Sequence, residues 1–159
     1  MEPGLVVSIT HKTRTSKGKL LKEDEFVRLL ERARRYLSPG DGILVVMDAD
    51  DDCPKNINER LLEWKSRHHA DLNVAIVIAK REMEAWFVAG AESLRTGLGM
   101  NPDAESLPNP KAWVGKNILQ AYYTPTADQA RLAGRLDVVM ARCIQSFDKL
   151  FREVLRLLS

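Results

Sequence analysis

Four aspartates crowd the segment Met47-Asp-Ala-Asp-Asp-Asp52, directly after the apolar run Gly42-Ile-Leu-Val-Val-Met47. If the chain stays extended beyond that run, Asp48 and Asp50 fall on one side, because strand side chains alternate with period two. Hard divalent cations such as Mg²⁺ and Mn²⁺ take oxygen ligands, commonly one or two carboxylates with waters and a substrate phosphate. Asp48 and Asp50, with Asp52 alongside, meet that need. The competing reading is a solvated, turn-forming loop after a strand. A calcium loop fails: Asp48, Asp50, Asp52, Asn56 and Glu59 fit the ligand register, but Cys53 stands where the sharp turn needs glycine, Pro54 follows, and a strand precedes.

A second acidic group, in Lys80-Arg-Glu-Met-Glu-Ala-Trp-Phe87, follows the second apolar run, Asn73 to Ala79. Residues two apart on a helix point about 200° from each other. Glu82 and Glu84 therefore face one metal only if one of them precedes the first helical turn. Otherwise they merely complement a helix dipole. Two neighbouring parallel strands would deliver both acidic groups to the same edge, where Asp48, Asp50, Glu82 and Glu84 are the catalytic candidates. The segment His11 to Lys22 carries Lys12, Arg14, Lys17, Lys19 and Lys22 with no acid and reads as a basic loop. With Lys80 and Arg81 it could contact the phosphates of a nucleic acid, or it could be a solvated surface.

These candidates need a frame. Leu5 to Ile9 reads as a short strand. Phe26, Leu29, Leu30, Ala33 and Leu37 form one helical stripe that ends before Pro39-Gly40. Gly42 to Met47 and Asn73 to Ala79 read as strands covered by helices on both faces. A helix bearing Ile57, Leu61 and Trp64 separates them, and Met83, Trp86, Phe87, Ala91 and Leu94 make the next one. Gly97 to Pro110 reads as a surface loop. Thr126 with Gln129 fits a capping box, and Leu136 to Leu158 continues helical with a break near Ser146. The fold class is α/β: a small Rossmann-like parallel sheet of few strands, flanked by helices, with a helical C-terminal layer. Residues 1–159 make one domain and 110–159 a mainly helical extension packed on it. In such sheets ligands bind outside the carboxyl ends of the strands.

The 159 residues include 24 Lys+Arg and 22 Asp+Glu, a net charge of +2 that gives no whole-molecule field towards nucleic acid or membrane. With 45% hydrophobic and 29% charged residues the composition is that of a globular protein, not a disordered one. Cys53 and Cys143 lack any paired metal spacing, which suits a reducing cytoplasm. The apolar runs are too short to span a bilayer. His68 and His69 fall at a helix end, Trp64, Trp86 and Phe87 on apolar stripes, and no Ser-His-Asp or Cys-His pattern is present.

The blocks ILVVMDADDDCP, AIVIAKREMEAWF, Tyr123-Thr-Pro-Thr-Ala-Asp-Gln129 and Ser146-Phe-Asp-Lys-Leu150 follow one another in an order that resembles a bacterial and archaeal family known as a domain of unknown function and grouped with Toprim-like folds. The resemblance implies metal-dependent phosphoryl chemistry on nucleic acid, with Asp48 and Asp50 as the DxD pair holding Mg²⁺ or Mn²⁺ and Glu82 or Glu84 completing the shell. It also implies an ATPase partner of the AAA or ABC type, in mobile-element or defence systems. The Toprim glutamate ordinarily follows an early strand in a Gly-rich turn. Here Glu2 precedes the first expected strand, so the chain reads as shortened. The alternative is a noncatalytic subunit that partners an ATPase.

Overall fold

The computed structural model describes residues 7–159. A two-stranded parallel sheet, β1 (Ile43–Asp48) and β2 (Val74–Ala79), forms its centre. The register runs from Ile43 opposite Val74 to Asp48 opposite Ala79. Before the sheet come α1 (Lys17–Leu20) and α2 (Glu23–Arg34), and α3 (Pro54–His68) joins the strands. After β2 come α4 (Glu84–Ala89), α5 (Ala91–Leu94), a 3₁₀ turn (Ala104–Ser106), α6 (Pro110–Trp113), a π-helical segment (Val114–Leu119), α7 (Pro125–Ala133), α8 (Val138–Ala141) and α9 (Gln145–Leu158).

The period of two sorts β2 between two cores. Val74, Ile76 and Ile78 join Phe26, Leu30, Ile57 and Leu61 of α2 and α3. Val77 and Ala79 join Trp86, Phe87, Val88 and Phe147 on the other face. Every residue of β2 is buried, as its unbroken apolar run requires. β1 is different: Ile43 and Met47 are buried while Leu44 is 39% exposed, so the expectation of full cover on both faces applies to β2 alone. Trp86 and Phe147 meet edge to face, with centroids 5.5 Å apart, and Trp86 Nε1 donates to Ser146 Oγ at 2.8 Å. These contacts fasten α9 to α4.

Several expectations are corrected. Val7, Ser8 and Ile9 are not a strand; Val7 and Ile9 are 47% and 64% exposed, and a β-branched run without a pairing partner gains nothing from its propensity. Leu5 and Val6 lie outside the described residues. The single helix expected from Met83 to Leu94 is two, divided at Gly90. A Cβ there would lie 2.6 Å from Leu136 Cδ1, so the glycine admits that close approach. The cap of α7 is Thr124, not Thr126: Pro125 takes the first helical position and Asp128 accepts from the Thr124 amide at 2.8 Å. The basic segment is not all loop, since α1 forms within it. The helical layer beyond Pro110 is present, and its final break falls immediately before Gln145. No helix among the described residues is long and apolar enough to cross a membrane.

Candidate functional site

β1 ends at Asp48, and Asp48 lies on the same face of the sheet as Ala79 and the α4 core. Its Oδ1 accepts from the Met83 amide at 2.8 Å, which ties the end of one strand to the turn that leaves the other. The carboxyl is largely buried. Burial pushes its pKa up to about 6, the Met83 amide and Lys111 pull it down, and the charges of Glu84 and Asp50 push it further up.

Helix α4 begins at Glu84, so Glu82 precedes its first turn. This is the arrangement that lets both glutamates serve one place. Glu82 Oε1 accepts from Lys111 Nζ at 2.9 Å, and Glu84 Oε1 accepts from the Tyr123 hydroxyl at 2.8 Å. Glu84 is 1% exposed. The second oxygen of each, Oε2, is buried without a hydrogen-bond partner. Burial works against the charge of Lys111, but its bond to Glu82 and the nearby Glu84 and Asp48 carboxylates outweigh it and raise the amine's pKa. Burial and the bond to Glu84 push the Tyr123 phenol upward, so it stays a donor. Three carboxylates thus gather around one ammonium and one phenol.

Local structure explains how Lys111 and Tyr123 arrive. Asn109 Oδ1 accepts from the Ala112 amide and Pro110 starts α6, which sets Lys111 in the first turn. The π-helical segment ends at Gln120, whose φ is 56°, and the chain folds back with Ala121 N donating to Gly115 O at 3.1 Å. A Cβ on Gly115 would stand 2.9 Å from the Ala121 carbonyl oxygen, so only glycine lets the returning segment seat Tyr123.

Asp50 does not continue the strand. Its φ is 52°, and its carboxylate meets Lys17 Nζ at 3.0 Å. Asp52 meets the same ammonium at 2.9 Å, and the Ala49 carbonyl accepts from it as well. The alternation that would place Asp50 beside Asp48 ends with the strand, because a left-handed residue reverses the chain direction. Asp50 still borders, with Asp48, Thr15, Lys17 and Leu20, a small cleft of about 240 Å³ over the end of β1. Lys12, Arg14 and Lys19 are exposed, Arg81 reaches Asp51 at 3.8 Å, and Lys80 lines a different cleft. No group of three or more His, Cys, Asp or Glu among the described residues is arranged to hold a metal ion unaided.

The structure therefore brings together Asp48, Glu82 and Glu84 and sets Asp50 and Asp52 apart with Lys17. Lys111 and Tyr123 were missed by sequence reasoning. Neither has a spacing signal; the one available hint was the need of a buried glutamate for a donor. Set against known protein families, curated proteins and solved structures, the chain matches none.

Proposed function

We propose that this chain is a Toprim-like domain with a Rossmann-like sheet, and that its acidic edge carries Mg²⁺- or Mn²⁺-dependent cleavage of nucleic-acid phosphodiesters. The observation behind the proposal is the pair of buried, donor-less oxygens, Glu82 Oε2 and Glu84 Oε2, beside an Asp48 whose ionisation burial resists. Buried anionic oxygens without donors are costly, and a cation relieves that cost. One ammonium against three carboxylates leaves the place short of positive charge. Mg²⁺ uses one or two protein carboxylates and fills its shell with water and substrate phosphate, so the donor set fits without a third ligand.

Asp48 and Glu84 would hold the ion, which would supply Lewis-acid polarisation of a phosphoryl oxygen. The remaining roles fall to the chain. Lys111, kept cationic by Glu82, offers its ammonium to charge developing on the phosphate oxygens. Tyr123 holds the Glu84 carboxylate in one orientation, and the Met83 amide does the same for Asp48. Exposed Lys12, Arg14 and Lys19 would steer the polyanion.

The test is Mn²⁺-dependent nicking of supercoiled plasmid, with Asp48→Asn and Glu84→Gln as the variants. Nicking that needs the metal and disappears in both supports the reading; no nicking with either metal ends it. One observation favours the second reading, a noncatalytic subunit that partners an ATPase: Lys17 occupies Asp50 and Asp52, as a tethered cation would in a disused site. That reading gains if the wild-type protein does not nick but co-purifies with an ATPase encoded beside it.

A further inference from the structure

On the far side of β2 from the small cleft over β1, a second cleft of about 300 Å³ lies where α3 and α9 begin, lined among others by Lys55, Asn58, Lys80, Ser146 and Lys149. Its polar groups are nearly all donors. Lys149 is half-buried, and its ammonium donates to Asn58 Oδ1 at 2.8 Å, with no carboxylate within ion-pair distance among the described residues. Burial is the main reason its pKa is lowered; Arg152 adds to that and Glu153 opposes it. Lys80 is exposed and has no acidic partner among the described residues, and Lys55 reaches Glu59 only at 3.8 Å.

Beside Gln145, two neutral groups of the lining have the same polarity. Asn58 spends its acceptor on Lys149, so its amide hydrogens are left to donate. Ser146 is only 8% exposed, and its oxygen accepts from Trp86 Nε1, while its own proton has no acceptor among the described residues. The single carboxylate of the lining, Glu105, already accepts from the Ser146 amide at 3.1 Å. That carboxylate rests at the start of α9, and none of the three ammonium groups of the lining lies within ion-pair distance of it. The first turn of α3 carries no acid.

A lining of ammonium, amide N–H and hydroxyl donors, whose one carboxylate is already engaged by the Ser146 amide, suits a compact ligand rich in acceptors. We infer that this cleft binds a phosphate group of a nucleic-acid backbone. Lys80 follows Ala79, which pairs with Asp48, so the cleft and the acidic edge stand at the carboxyl ends of neighbouring strands, whose backbones run about 4.8 Å apart. A strand of linked phosphates laid along that edge could meet both. The source of the phosphate rests on the function proposed for the acidic edge; the affinity of the cleft for phosphate does not.

The experiment uses the full chain in EDTA, titrated by calorimetry and by amide chemical shifts with inorganic phosphate and with a short oligothymidylate. Saturable shifts at Ser146 and Lys149 are expected with both probes, and the oligonucleotide should bind more tightly. Lys80→Ala combined with Lys149→Met should weaken oligonucleotide binding by about tenfold or more. Lys149→Arg should retain it, which separates lost charge from lost fold. Unchanged binding in the double variant, or no shift at Ser146 with either probe, overturns the cleft. Equal affinity for phosphate and oligonucleotide overturns the nucleic-acid source. Loss of plasmid nicking with oligonucleotide binding intact bears only on the acidic edge.

Discussion

The Asp50 amide donates to the Arg81 carbonyl at 2.8 Å, and both residues hold left-handed backbone, with φ of 52° and 61°. Each lies two residues beyond the end of its strand. The pair extends the parallel ladder one step past Ala49 and Ala79 and then turns both chains outward. Asp tolerates this conformation through its short polar side chain; Arg has no such compensation.

Replacing Arg81 with glycine should therefore stabilise the fold by about 0.5–1 kcal/mol, read as a higher urea midpoint at unchanged m. Arg81→Val should cost about 1–3 kcal/mol, because a β-branched residue suits positive φ least. A glycine variant less stable than wild type would show that the Arg81 side chain contributes more than its backbone strain costs.

Asp48 should make stability depend on pH. Its folded pKa is raised from 3.8 to about 6, so the native state binds the proton more tightly than the unfolded chain. The sign follows: ionising Asp48 penalises the fold above pH 6, and the penalty fades as pH falls from 6 towards 4. Discounted for the exposed part of the group, the penalty is on the order of 1 kcal/mol. Asp48→Asn should melt higher than wild type at pH 7.5 in EDTA and equal to it near pH 4. Added Mn²⁺ should raise the melting temperature of wild type but not of the variant.

Tyr123→Phe removes the donor that Glu84 relies on. A buried carboxylate that loses such a bond costs about 1.5–3 kcal/mol, measurable by chemical denaturation. Adding Glu84→Gln should recover much of the loss, because a neutral amide needs the phenol less. A double-mutant cycle with no coupling between the two positions would contradict the contact.

Lys17→Ala should release Asp50 and Asp52 at little cost in stability, since exposed ion pairs contribute about 0–1 kcal/mol. The local potential around Asp48 then becomes more negative, and Mn²⁺ affinity by calorimetry should rise several-fold. A fall in affinity would mean that the ammonium organises the acidic loop instead of competing for it.

Gly115→Ala should displace Tyr123 without touching any charged group, because its new Cβ would press on the Ala121 backbone oxygen. A loss of about 1–3 kcal/mol is expected. Tyr123 fluorescence or ring shifts should report the same displacement.

The amino-acid order alone determined the apolar runs and their spacing, and with them β1, β2, α2, α3 and the placement of Asp48 at a strand's carboxyl end. Period-two and period-3.6 burial are local properties, set by side-chain direction along a regular backbone. It also stated the condition for Glu82 and Glu84 to act together, that one precede the helix, though not that the condition is met. Tertiary structure alone decided the rest. Asp50 left Asp48 because Lys17, 33 residues away, and the Arg81 carbonyl claimed its side chain and its amide. Val7 to Ile9 stayed out of the sheet because a strand requires a neighbour that no local pattern can specify. Lys111 and Tyr123 joined the carboxylates only after a capped turn and a glycine-seated reversal carried them there. Regular elements are written in short stretches of sequence; charged partners are chosen across the fold, where burial sets how much an unpaired group costs.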